Sequence, residues 1–105
     1  PMSWWVYMIE ADDGSLYTGV TTDVSRRFAE HKAGSAVRGK AGGKIRERRN
    51  AIGKGARYFA GRTPVMVVYT ERQAGRGEAQ QREAAIKKLK RAEKLMLIQG
   101  YIEFR

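Results

Sequence analysis

At 105 residues the chain has the size of one domain, long enough for a modest core without covalent staples. It has no cysteine and a single histidine, His31, which excludes a disulfide scaffold, a thiolate metal site and a multi-histidine zinc site. Lys and Arg number 21 against 11 Asp and Glu, and a net charge of +10 points to a polyanionic partner, nucleic acid before any other. No apolar run approaches the roughly 18 residues of a membrane span. No basic-then-apolar leader opens the sequence, so a cytoplasmic protein with no membrane partner is expected.

Residues 5–10 (WVYMIE) are aromatic and branched, which suits a strand. Ala11-Asp12-Asp13-Gly14 is turn chemistry, because Asp tolerates a turn and Gly accepts positive φ. Residues 15–20 make a second short strand, so the pair reads as a hairpin. If Tyr7 and Tyr17 lie opposite one another across it, their rings leave from one face. Such a pair serves packing as readily as chemistry.

Asp23 is a good N-cap for a helix over 24–34 (VSRRFAEHKAG), with Gly34 as its stop. Val24 and Phe28 give this helix an apolar edge. Arg27 and His31, also four apart, share a neighbouring face beside the two tyrosines.

The basic charge then concentrates. Residues 35–62 hold nine Lys or Arg and one acid, Glu47, and so carry +8 of the net +10. Six glycines punctuate the segment and argue against long regular structure, although 44–51 (KIRERRNA) suits a short helix. Arg38, Lys40, Lys44, Arg46, Arg48, Arg49, Lys54 and Arg57 are the candidate phosphate contacts. Tyr58 and Phe59 offer either base stacking or ordinary packing.

Residues 64–70 (PVMVVYT) read as a buried strand at the centre of a small sheet. From Glu78 the composition is helical, with Ala79, Ile86 and Leu89 on the inner side and a break near Arg91. Glu83 falls on or beside that inner face. A carboxylate there needs a cation, either a neighbouring base such as Arg82 or Lys87 or a metal ion. Residues 101–105 read as a short extended tail. The pattern as a whole is a single α+β domain spanning 1–105, with a small three-stranded antiparallel sheet flanked by helices.

In order along the chain, Trp5-Val6-Tyr7, Tyr17-Thr18-Gly19, Arg27, His31 and Glu83 resemble the signature of the GIY-YIG nuclease superfamily. The leading Gly and Ile of the first block are replaced, and Thr stands in the middle of the second. Asp23 and Phe28 also fall where the family pattern expects them. The segments GKGARY and GRTPVMVVYTE are similar to the small stand-alone bacterial members and to the nuclease domain of structure-selective branch resolvases. Against that pattern, about 36–49 is a basic enlargement. The family's late asparagine has no counterpart, since Asn50 is the only asparagine.

The resemblance implies a phosphodiester-hydrolysing DNA endonuclease of DNA repair or recombination, with Tyr7, Tyr17, Arg27, His31 and Glu83 as its catalytic set. Glu83 would anchor Mg²⁺, with Mn²⁺ as a substitute, because Mg²⁺ takes few protein ligands and keeps most of its waters. Arg27 has the donor fork that phosphate oxygens require. The resemblance points to Tyr7 as the general base. A phenol with pKa near 10 is a poor base at neutral pH, and His31 is the better one by its ordinary value. The flexible basic stretch suits branched or single-stranded DNA better than a fixed sequence. A non-catalytic module of the same fold, binding DNA or RNA, accounts for the charge equally well, and no residue pattern points to a protein partner.

Overall fold

A computed structural model describes residues 3–41 and 57–103, with the side chains of 35–41 outside the described set. Its elements are β1 (Trp4–Ala11), β2 (Leu16–Thr21), α1 (Val24–Ala41), a 3-10 turn (Tyr58–Ala60), β3 (Pro64–Gln73), α2 (Arg76–Lys87) and α3 (Arg91–Glu103). Among the described residues the strands form one antiparallel sheet in the order β2-β1-β3, and the fold is the α+β arrangement that the sequence implies.

β1 is therefore the centre of the sheet, and β3, which reads as central from its apolar run, is an edge. The reason lies in burial. Four consecutive β1 residues, Val6, Tyr7, Met8 and Ile9, are at most 1 % exposed, as a strand covered on both faces requires. On β3, Val65 and Met66 are about half exposed. Pro64 is tolerated because it opens an edge strand.

The hairpin turn forms as the residues predict. The Gly14 amide donates to the Ala11 carbonyl and the Ala11 amide to the Ser15 carbonyl. Gly14 (φ 83°) carries the only positive φ among the described residues, the left-handed position that this turn needs. The two aspartates tie the turn to the entry of β3. Asp12 accepts from the Thr63 amide at 3.0 Å, and Asp13 pairs with Arg62 at 2.9 Å.

Successive β1 side chains feed two different cores. Val6 and Met8 pack with Val68, Ala79, Ile86 and Ile98 beneath α2 and α3. Tyr7, Ile9 and Ala11 pack with Phe59, Tyr17, Val24 and Phe28 beneath α1 and the 3-10 turn. Each large aliphatic side chain buried in the first core contributes about 1.5–3 kcal/mol.

Asp23 caps α1 as expected, its Oδ1 accepting from the Arg26 amide at 3.0 Å. The helix does not stop at Gly34 but runs on to Ala41. A glycine costs a helix interior only about 1 kcal/mol against alanine, and no proline follows to enforce a stop. The late helical stretch breaks at 88–90 between α2 and α3, close to the expected place. Tyr101 to Glu103 continue α3 rather than forming an extended tail, because nothing in QGYIE removes a helical hydrogen bond. The proposed helix over 44–51 lies outside the described residues. Among the described residues no helix is long and apolar enough to cross a membrane.

Candidate active site

The two tyrosines share a face but are not opposite one another. The register pairs Tyr7 with Gly19 and Tyr17 with Ile9, so the rings meet diagonally, with centroids 6.1 Å apart. Gly19 makes this possible. A Cβ there would sit 2.7 Å from the Tyr7 hydroxyl and 2.9 Å from the Tyr17 ring, so only glycine leaves room for both.

Tyr7 is 1 % exposed, and its hydroxyl shares a 3.1 Å hydrogen bond with His31 Nε2. The Arg27 guanidinium and the Tyr17 phenol lie near enough to the same hydroxyl to act on its pKa. Arg27 is held from its other side by Glu30, at 2.9 Å and one helical turn on. Four of the sequence-predicted residues, Tyr7, Tyr17, Arg27 and His31, thus converge on one point. The one-turn spacing of Arg27 and His31 along α1 delivers both to it.

Burial sets the protonation of this cluster. It pushes the Tyr7 phenol well above its ordinary value, helped by neighbouring Tyr17 and opposed by Arg27. Tyr17 is raised too, first by burial and also by the negative charge of Glu83, against Arg27. His31 is fully buried, and its pKa falls to about 4 because of that burial and of the Arg27 charge. At neutral pH the site therefore holds two phenols, a neutral imidazole and one guanidinium. Among the described residues His31 Nδ1 and Thr18 Oγ1 are buried without a hydrogen-bond partner.

Glu83 stands differently. Its helix, α2, packs on the opposite face of the sheet, yet its charge is felt by Tyr17 on the edge strand β2. Its side chain is 17 % exposed and pairs with the more open Lys87 at 3.3 Å. Of the two partners that the sequence offers Glu83, Lys87 is the one used. Arg82 turns away to Glu71 at 2.9 Å.

Phe59 is core rather than a stacking platform, 2 % exposed and 4.8 Å from the His31 ring between centroids. Tyr58 lies 5.2 Å from Tyr17 by the same measure. Arg62 covers Tyr58 at 4.3 Å while reaching Asp13, so the hairpin turn and the 3-10 turn are clamped around Tyr17. This clamp is not apparent from the sequence, although an Asp-Asp turn in so basic a chain was its available signal. Of the candidate phosphate contacts, Arg57 is described and exposed. Arg38 and Lys40 lie on α1 with side chains outside the described residues. Lys44, Arg46, Arg48, Arg49 and Lys54 lie outside them altogether.

Residues 3–96 match the family model of the GIY-YIG catalytic domain. The chain belongs to the GIY-YIG family. A UPF0213 protein of Desulfotalea psychrophila is 40 % identical over 98 residues, covering 93 % of this chain and 73 % of that protein. One from Halobacterium salinarum is 45 % identical over 89 residues, covering 85 % and 91 %. The solution structure of the UPF0213 protein BH0048 from Bacillus halodurans is 36 % identical, with a TM-score of 0.49 over 93 % of this chain and 84 % of that one. A GIY-YIG domain implies a nuclease with a nucleic-acid substrate, and GIY-YIG nucleases generally use divalent metals.

Among the described residues no group of three His, Cys, Asp or Glu side chains could hold an ion. The donor chemistry instead fits a cation that needs few protein ligands. Glu83 offers one partly exposed carboxylate, and Mg²⁺ is commonly held by one or two carboxylates with water and substrate oxygens completing its shell.

Proposed function

We propose that this GIY-YIG domain is a Mg²⁺-dependent DNA endonuclease that hydrolyses phosphodiesters in branched or single-stranded DNA, acting in cytoplasmic DNA repair or recombination. The observation that carries this reading is the gathering of Tyr7, Tyr17 and His31 in one buried cluster, with the Tyr7 hydroxyl bonded to His31 and within reach of the Arg27 charge, while the Glu83 charge is felt by Tyr17.

The scissile phosphate sits against Arg27, whose charge and donor fork neutralise its non-bridging oxygens. Tyr7 orients the attacking water and takes its proton as its own hydroxyl proton moves to His31 Nε2, so no free phenolate is required. His31 is suited to accept because it is neutral beforehand. Burial is the larger cause of the depressed imidazole pKa and the Arg27 charge the lesser, and a phosphate arriving at Arg27 offsets that second cause, raising the basicity of His31 when substrate is bound. Tyr17 supports the Tyr7 hydroxyl. Glu83 would hold the metal, which when bound polarises the phosphate and eases departure of the leaving oxygen.

The basic segment belongs to this single domain and grips phosphates beyond the scissile one. Its proposed enlargement, about 36–49, begins as the last turns of α1. With about six phosphates engaged, the slope of log affinity against log salt is near −5.

The test is Mg²⁺- or Mn²⁺-dependent nicking of a panel of forked, single-stranded and duplex DNAs. Arg27→Ala and Glu83→Ala are each expected to lose about 10²–10³-fold in rate while keeping the parental urea midpoint. Parent-like cutting by both variants overturns the reading. One observation favours a second reading, a non-catalytic nucleic-acid-binding module: Glu83 already has Lys87 as its cation. That reading predicts salt-sensitive binding with no cleavage in either metal.

A further inference from the structure

The sheet face that carries Tyr7 also borders a cavity. Between the first turns of α1 and strand β3 lies an open cavity of about 540 Å³, with Trp5, Phe28, Tyr101, Val67, Thr70 and Asp23 in its walls. Sites for small flat ligands run from roughly 300 to 1,000 Å³, so the cavity is large enough for one nucleobase with its sugar.

The cavity adjoins the phenol cluster. Trp5 is two positions before Tyr7 and so leaves β1 on the same face. Thr70 is the register partner of Tyr7 on β3, and Phe28 follows Arg27 on α1. A ligand in the cavity and a phosphate on Arg27 would be neighbours.

Its chemistry differs from that of the rest of the chain. In a protein of net charge +10, none of the described residues lining it is Lys or Arg. Walls with no cation among the described residues are poorly suited to phosphate, whose binding depends on neutralisation. Its walls offer three aromatic rings, a hydroxyl pair in which Thr70 Oγ1 donates to the Tyr101 hydroxyl at 3.2 Å, and the Asp23 carboxylate that caps α1. Aromatic faces with a few polar groups suit a flat, uncharged and partly polar ligand.

We propose that this cavity is a base pocket. Resting on the nuclease reading, it receives one unpaired nucleobase of the strand whose phosphate lies on the Tyr7–Arg27 cluster. A base can enter only after leaving its stack. That cost is smallest in single strands and at junctions, which gives the protein a physical reason to prefer them over continuous duplex.

The experiment scans one abasic site along the cleaved strand of a forked DNA and measures binding and Mg²⁺-dependent cutting. Removing the base at one position near the cut should weaken binding about 5- to 100-fold, the size of one lost aromatic stack. Ser25→Trp, at the exposed cavity rim, should weaken binding of intact DNA to a similar degree and erase the penalty at that same position. A flat abasic scan with cutting retained overturns the pocket and leaves the nuclease reading standing. So does a folded Ser25→Trp protein with parental binding and an unchanged scan. If Ser25→Trp does not fold, the scan on the parent decides alone. A parent that neither binds nor cuts any DNA in the panel overturns both proposals.

Discussion

The two faces of β1 are made from alternate residues of one eight-residue strand, and they do different work. The face beneath α2 and α3 is mainly aliphatic: Val6 and Met8 meet Val68, Ala79, Ile86 and Ile98, with the Tyr69 ring among them. The face beneath α1 and the 3-10 turn is aromatic and polar-tipped: Tyr7 meets Tyr17, His31 and Phe59. The first face is filled mostly by apolar volume, with one hydroxyl, that of Tyr69, donating to Glu71. The second buries hydroxyls, an imidazole and part of a guanidinium, groups that are costly to bury without a partner, as His31 Nδ1 is among the described residues. Because the strand is central, packing on one face holds the proposed reactive groups on the other.

That division can be broken on either side. The largest effect is expected from Ile86→Ala on the aliphatic face. Ile86 is fully buried, and the substitution should cost about 2–5 kcal/mol in urea unfolding, while the cutting rate per folded molecule stays near the parent's. A lower rate per folded molecule would mean that the two faces are not separable.

Next comes pH. His31 has a folded pKa of about 4, below its ordinary 6.5, so it binds fewer protons folded than unfolded between those values. Its contribution to stability is therefore complete above about pH 6.5 and is lost as pH falls toward 4, up to about 3 kcal/mol. Urea midpoints measured from pH 7.5 to 4.5 should show this loss in the parent, and His31→Leu should show a flatter profile. Equal slopes would place the acid sensitivity elsewhere.

The smallest expected stability effect is Gly19→Ala, which forces a methyl against a Tyr7 hydroxyl that cannot retreat from a buried site. Overpacking of this kind costs about 1–3 kcal/mol. The rate should fall by more than that stability loss accounts for, because the displaced hydroxyl is the one proposed to handle the proton of the attacking water. A variant that keeps the parental rate would show that the Tyr7 position has slack.

Much of this arrangement was legible in the residues. The hairpin follows from an aromatic strand pair around Ala11-Asp12-Asp13-Gly14, and the start of α1 from Asp23. Arg27 and His31 follow from their one-turn spacing. What was not legible depends on long-range packing. PVMVVYT reads as a central strand because its apolar run hides which residues face solvent. Only pairing on one side alone, and the exposure of Val65 and Met66, identify an edge. Gly34 reads as a helix stop because a sequence does not say whether the following residues keep helical bonds. The diagonal placement of the tyrosines depends on register. The competition of Lys87 and Arg82 for Glu83 was settled by Glu71, a residue on another element. The base pocket joins four elements, and no local pattern announces it.

The decisive quantity is the rate at which Tyr7→Phe cuts forked DNA at saturating Mg²⁺, beside the parent and with the urea midpoints of both proteins in hand. The substitution removes one oxygen and keeps the ring that packs against Tyr17. A fall of about 10²-fold or more, with the fold intact, is expected if that hydroxyl handles the proton of the attacking water. Cutting at the parental rate would contradict it and return the cluster to packing alone.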